Sequence, residues 1–276
     1  MRQLHQTRTV TLLLAPAIAF MTVLFLIPLV YLLSQSFVGE DGAVSFAGYV
    51  EFFTSRTSQV VYWRTVKLSL IVTLICVLLG YPASYVLARM PARRRSILMS
   101  LVILPLMTNS VARTYAWLII LGRQGIVNSS LLTLGLVEQP IRFIFTEEAI
   151  VIGLAQLFIP LMVLPLVSAM ENIPDDITEA ARSLGANGLT AFLRVTVPLS
   201  MDGLVLGATL VFTGSVTAYT TAAVLGGSRT LLLSTLLRQE ALVTFDVHSA
   251  AVIAVVMTLT ALVVNIVLRA IRRRYQ

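Results

Sequence analysis

Six stretches of this chain, at 9–39, 68–88, 96–112, 149–170, 203–228 and 247–268, contain no Asp, Glu, Lys or Arg over 17 to 31 residues each. A helix needs roughly 20 apolar residues to cross about 30 Å of hydrocarbon, so runs of this length read as membrane spans. The fold expected is all-α and integral to a membrane. Its spans are placed at about 11–35, 67–88, 96–119, 149–170, 203–225 and 247–268, within a single transmembrane domain covering 1–276. The third run is the shortest and reaches spanning length only if the Arg113 guanidinium snorkels to an interface. Composition closes the soluble alternative: 57% of residues are hydrophobic and 12% are charged, too few to clothe a soluble domain of 276 residues.

The first run follows Arg2 and Arg8, a pattern shared with signal peptides. It is too long for a signal h-region and ends without a small-x-small cleavage pattern, so it reads as a retained span. With the N-terminus inside, twelve of the twenty basic residues fall on cytoplasmic segments, including the clusters at 93–95 and 272–274 hard against span ends. Both termini are then cytoplasmic, in a multi-pass membrane protein. The net charge of +7 follows from topology, and no nucleic-acid partner is implied.

Chemistry-bearing motifs are scarce. Cys76 is alone in the second span, and His5 and His248 have no metal-ligand spacing around them. There is no GxxxxGK[ST] phosphate loop, no paired carboxylate within a span and no Ser/His/Asp arrangement. The chain therefore reads as no enzyme, with no cofactor or metal of its own. No internal repeat supports an inverted-repeat secondary transporter. Aromatic residues between 46 and 63 suit a short amphipathic helix at the outer interface.

The segment 171–202 breaks the pattern. It faces the cytoplasm and holds five of the thirteen acidic residues. Asp175 and Asp176 favour a helix N-terminus, Glu179, Ala180, Ala181 and Arg182 continue it, and Gly185 ends it with φ > 0 expected. Asn187 can cap a second short helix, which Pro198 stops. Two short helices at a fixed angle form a knob suited to docking on a soluble partner.

Glu179-Ala180-Ala181, then Gly185, then Val195-x-Val197-Pro198 resembles the signature loop of bacterial ABC importer permeases. The resemblance implies a type I (MetI-like) importer permease fold with six transmembrane helices. It implies that Glu179, Ala180, Ala181, Arg182, Gly185 and Pro198 belong to the coupling helix that docks on the ATPase subunit. Gly80-Tyr-Pro-x-x-Tyr-x-x-Ala-Arg89, the stretch Arg113-Thr-Tyr-Ala-Trp117 through Gly122 and Gly125 to Asn128, and Leu225-Gly-Gly are similar to the spermidine/putrescine group, in particular to its first permease subunit. That likeness implies a second homologous permease, two copies of an ATPase that binds the ATP, and a periplasmic substrate-binding protein, all in membrane lipid. The implied function is import of a small solute, with a polyamine or related organic compound as candidate. An ATP-independent transporter or channel subunit is the alternative.

Asn109, Arg113, Ser215, Thr217 and Tyr219 are the candidates for the translocation pathway, with helix packing as the competing role of Ser215 and Thr217. Some polyamine permeases carry an acid just before the position of Tyr219. Here Ser215-Val-Thr-Ala-Tyr219 has none, and no Asp or Glu lies in any of the six runs.

Overall fold

The computed structural model describes residues 15–39 and 43–272, all helices, turns and loops apart from one isolated β-bridge between Val38 and Val44. Arg2, His5, Arg8, Arg273 and Arg274 lie outside the described residues, as does the start of the first expected span. In chain order the helices are α1 (Ala15–Gln35), α2 (Ala47–Thr54), α3 (Arg56–Ala88), α4 (Ala92–Met107), α5 (Ser110–Leu121), α6 (Ile126–Thr133) and α7 (Glu147–Glu171). They continue with α8 (Asp175–Ser183), α9 (Gly188–Leu199), α10 (Met201–Thr217), α11 (Thr220–Gly226), α12 (Leu233–Gln239) and α13 (Val247–Arg272). Among the described residues, α1, α3, α7 and α13 are each long and apolar enough to span a membrane alone.

The chain divides into two units, residues 1–59 with 237–256, and 60–236 with 257–276. In the first, the Phe37, Phe46 and Tyr49 rings cluster with centroids 5.5 to 6.3 Å apart. The Tyr49 hydroxyl meets Ser36 Oγ at 2.7 Å, and His248 Nδ1 lies 3.0 Å from the Gln35 carbonyl. The aromatic stretch 46–63, where a short helix is expected, holds α2 and, directly after it, the first turns of α3.

The second unit is built around α7. Ile150, Leu154, Met162 and Leu166 are fully buried there, against Leu68, Val72 and Cys76 of α3. Lipid gives apolar helices no hydrophobic reason to associate, so close packing must hold them together. Gly203 and Gly207 supply it on α10. A Cβ at Gly203 would stand 2.5 Å from the Pro165 carbonyl oxygen, and one at Gly207 would stand 2.8 Å from Met162 Sδ. Gly214 faces the Phe158 ring in the same way, so α10 lies along α7 through a stripe with no side chains.

Two expected spans are broken. The stretch 96–119 is α4 and α5, and the chain bends at Thr108–Asn109, by 95° between Ala92–Met107 and Ser110–Thr133. Asn109 is the reason: with ψ at 128° it leaves the helix, and its Oδ1 accepts from the Val111 and Ala112 amides at 2.8 and 3.2 Å, starting a new helix. The stretch 203–225 is α10 and α11, interrupted where Ala218 is extended at ψ 104°. Thr217 Oγ1 donates back to the Thr213 and Gly214 carbonyls, and the Ala218 carbonyl accepts from Ser234 Oγ at 3.0 Å. Side chains thus take over carbonyls that a continuing helix would have used.

Candidate functional site: the coupling loop and the helix breaks

The loop after α7 folds as a helix–turn–helix. α8 ends in a Schellman turn, in which the Ala186 amide donates to the Ala181 carbonyl at 3.1 Å. Gly185 takes the left-handed position with φ +88°, and a Cβ there would meet nothing within 4 Å. Glycine is therefore required by the backbone conformation and not by crowding. Asn187 Oδ1 then accepts from the Thr190 amide at 2.8 Å and opens α9. Pro198 does not stop α9. The helix runs one residue further, and the chain turns at Ser200, with a 66° bend between α9 and α10. Pro198 is tolerated because a π turn over Phe192–Thr196 shifts the hydrogen-bond register, with the Val197 amide reaching back to the Phe192 carbonyl.

Glu179 and Ala180 are exposed and Ala181 is half-buried, while the Arg182 side chain lies outside the described residues. Leu184, at the tip, is 90% exposed, with Ile177, Leu189 and Leu193 also exposed around it. A cluster of bare aliphatic side chains beside acidic residues is the surface expected of a protein-docking patch.

The base of this knob is clasped by residues that the sequence did not single out for function. The Phe192 ring meets Tyr81 and Tyr85 of α3 edge to face, with centroids 5.5 and 5.1 Å away. Arg89 stacks over the Tyr85 ring at 3.7 Å. The Tyr81 hydroxyl and Ser200 Oγ share a 2.5 Å hydrogen bond, and Ser200 Oγ also lies 3.2 Å from the Val197 carbonyl. On either side of the loop, Glu171 pairs with Arg95 of α4, and Asp202 accepts from Arg272 Nη2 of α13 at 3.2 Å. The spacing Tyr81…Tyr85, one helical turn within Gly80-Tyr-Pro-x-x-Tyr, was the available signal. Its partner Phe192 carried none.

The pathway candidates separate into three places. Asn109 and Arg113 come together at the first break. The Arg113 guanidinium does not snorkel outward but turns back, donating to the Pro105 carbonyl at 2.7 Å and to the Thr108 carbonyl and hydroxyl. It thereby satisfies carbonyls at the end of α4 that lost their partners at the bend. Thr217 and Tyr219 flank the second break, both exposed. Ser215 is fully buried, its Oγ without a hydrogen-bond partner among the described residues. The remaining residues of that motif have structural work. Trp117 donates to Gln156, and buried Asn128 ties the Gly122 and Ile141 carbonyls and the Ile141 amide.

The described residues thus form a helical membrane protein with broken spans and a helix–turn–helix between α7 and α10. The chain belongs to the family of binding-protein-dependent transport system inner membrane components, whose pattern matches residues 77–276. It is a multi-pass inner-membrane protein and a permease subunit of an ABC importer.

Among its relatives is the spermidine/putrescine transport system permease protein PotB of Haemophilus influenzae, 36% identical over 92% of each chain. PotB of Escherichia coli is 33% identical over 88% of this chain and 90% of its own length. The molybdenum transport system permease protein ModB of Mycobacterium tuberculosis is 33% identical over 64% of this chain and 65% of its own.

Among solved structures, a bacterial alginate ABC transporter in complex with an alginate pentasaccharide-bound periplasmic protein has a chain with TM-score 0.80 and 17% identity. It covers 99% of this chain and 96% of its own. A chain of the MetNI methionine ABC transporter, in inward-facing conformations, reaches TM-score 0.58 at 16% identity, over 80% of this chain and 99% of its own. These likenesses bear on the fold.

Proposed function

We propose that this chain is one of two related permeases in an importer of polyamines or closely related organic cations, moving solute from periplasm to cytoplasm. Both termini and the segment 171–202 face the cytoplasm. Two ATPase subunits bind and hydrolyse the ATP, one of them docking on α8, and a periplasmic protein delivers the solute. The chain itself has no nucleotide-hydrolysing site, in keeping with the lack of a phosphate loop in its sequence.

The single observation that carries this reading is the knob of Glu179, Ala180 and Leu184, exposed on a helix whose end is fixed by Gly185 at φ +88°. ATP can bias the outward–inward equilibrium only through contacts that differ between the two states. A rigid projecting helix provides such contacts. The likeness to two polyamine permeases over about nine-tenths of the chain supports the substrate class. With no carboxylate in the six apolar runs, this subunit would meet ammonium groups through hydroxyls, backbone carbonyls and the Tyr219 ring face. The second permease and the binding protein would supply full charges.

Reconstitution of the four components in proteoliposomes tests this. Uptake of labelled spermidine should need ATP and the binding protein, and putrescine should compete. Uptake of an oxyanion in place of spermidine would refute the substrate class. A permease that never co-purifies with the ATPase would refute the docking role.

A further inference from the structure

Apart from the coupling loop, a furrow runs between α3 and α4, with α7 forming the wall of its upper part. Its upper part, about 470 Å³, is bordered by Ile75 and Leu79 of α3, Pro105 of α4 and Ile159 of α7. Its lower part, about 610 Å³, is bordered by Pro82, Ala83, Val86 and Met90 on one side and Leu98 on the other. Leu101 and Val102 line both parts, which makes the furrow continuous. The only strongly polar side chain in it is Gln156, already bonded to the Trp117 indole.

The furrow is apolar along its length and basic at one end. On α4 the lining residues 98, 101 and 105 fall on one helical face, and Arg94 lies one turn before Leu98 on that same face. Arg93 is beside it. Of the neighbouring arginines, Arg95 is paired with Glu171 and Arg89 is stacked on Tyr85. Arg93 and Arg94 are exposed and form no ion pair among the described residues.

Length and lining decide what fits. From Ile75 to Met90 the furrow measures about 22 Å at the helical rise. One leaflet of hydrocarbon is about 15 Å deep and a full span about 30 Å. An acyl chain fits with room to spare, and a spanning helix of a second subunit does not. Its borders are also mostly Leu, Ile and Val, where close helix packing calls for small residues. A charged solute would lose its hydration here and find no oxygen ligands in return.

We propose that this furrow is a binding site for an anionic phospholipid, with an acyl chain along α3 and α4 and the phosphate on Arg93 and Arg94. Guanidinium groups suit phosphate oxygens by geometry and charge, and basic groups at a span end lie at headgroup depth.

The test is native mass spectrometry of the complete purified transporter, titrated with phosphatidylglycerol or phosphatidylcholine of identical chains. The wild type should retain phosphatidylglycerol preferentially. Arg93→Gln with Arg94→Gln should lower that preference about thirtyfold, at roughly fivefold per basic residue near a charged surface. Arg93→Lys with Arg94→Lys should keep most of it, which separates charge from folding. Ala83→Phe should fill the lower furrow and expel both lipids. An undiminished preference in the double Gln variant, or bound lipid surviving Ala83→Phe, would overturn the proposal. So would a photo-crosslinker at Leu101 that captures the second permease instead of lipid.

Discussion

Within the unit built on α7, the end near Glu147 and the end near Ser200 are held by different kinds of contact. At the Glu147 end the bonds are directional. Glu147 joins Arg64 at 3.1 Å and Lys67 at 2.8 Å, Arg64 also reaches the Leu231 carbonyl, and buried Thr65 accepts from the Leu233 amide. At the Ser200 end a ring is also held by the edges and faces of two others, beside the Tyr81–Ser200 hydrogen bond and flanking ion pairs that are part-exposed like those of Glu147. A charge-assisted hydrogen bond weakens steeply with distance and angle, whereas edge-to-face rings tolerate a range of centroid separations of 4.5–7 Å. The Glu147 end is therefore pinned by polar bonds, whereas at the Ser200 end the ring clasp on Phe192 is the contact that can shift without coming apart. The loop proposed to dock the ATPase would use such a joint at its base.

The largest expected effect breaks the pivoting end at its tip. Gly185→Val forces a β-branched residue to φ +88°, at a local cost on the order of 1–3 kcal/mol. Membrane insertion should be normal, while ATPase association in a pull-down and uptake in the same membranes should both be lost. Solute affinity of the separate binding protein should not change. Full association and full uptake would show that this loop is not the coupling element. Glu179→Ala should act in the same direction more weakly.

Phe192→Ala comes next and addresses the joint itself. It removes two ring contacts worth about 0.5–1.5 kcal/mol each. The ATPase should still bind and hydrolyse ATP, because α8 is intact, but solute moved per ATP should fall. Phe192→Tyr should largely restore it. If Phe192→Ala leaves the transport-to-hydrolysis ratio at the wild-type value, the ring clasp transmits nothing.

At the pinned end, Glu147→Gln should lower thermal stability by about 1 kcal/mol or less, since its ion pairs are part-exposed. High salt should shrink the difference, and the transport-to-hydrolysis ratio should not move. A drop in that ratio equal to that of Phe192→Ala would erase the contrast between the two ends.

The smallest effect sets the scale of a purely local contact. Asp246 caps α13 by accepting from the Ser249 amide at 2.9 Å, and hydrogen bonds from Ser249 hold its carboxyl below the usual carboxylate range. Its folded-state pKa is depressed, so its stabilising contribution is present above the unfolded pKa. It fades as pH falls through the folded one. Asp246→Asn retains a capping oxygen and should change neutral-pH stability by only a few tenths of a kcal/mol. In acid titrations followed by thermal unfolding, variant and wild type should converge as the Asp246 carboxyl protonates. A gap that widens toward low pH would contradict this.

Much of the coupling loop could be read in the sequence, because its signals are local. Asp175 and Asp176 mark a helix start, Gly185 a left-handed stop and Asn187 a cap, each acting on amides or carbonyls within a few residues. The pathway candidates were less legible. Asn109 and Arg113 read as pathway candidates, Arg113 also as an interface anchor, and the sequence did not show that they cap and staple a bend. Thr108-Asn109-Ser110 was the signal for that bend, masked by the apolar run around it. The clasp on Phe192 was not legible at all, since residues 81 and 192 meet only when α3 and α9 are assembled.

The sequence by itself determined that this chain is helical, lives in a membrane and carries a helix–turn–helix between its fourth and fifth apolar runs. Those properties rest on hydropathy summed over single helices and on backbone preferences of single residues, and neither depends on neighbours far along the chain. Only the tertiary structure decided where two of the spans break and which residues hold the loop's base. A helix ends where its freed carbonyls find other partners. Arg113 reaches Pro105 only because the chain has already bent, and Ser234 reaches Ala218 only because α12 has folded back beside α10.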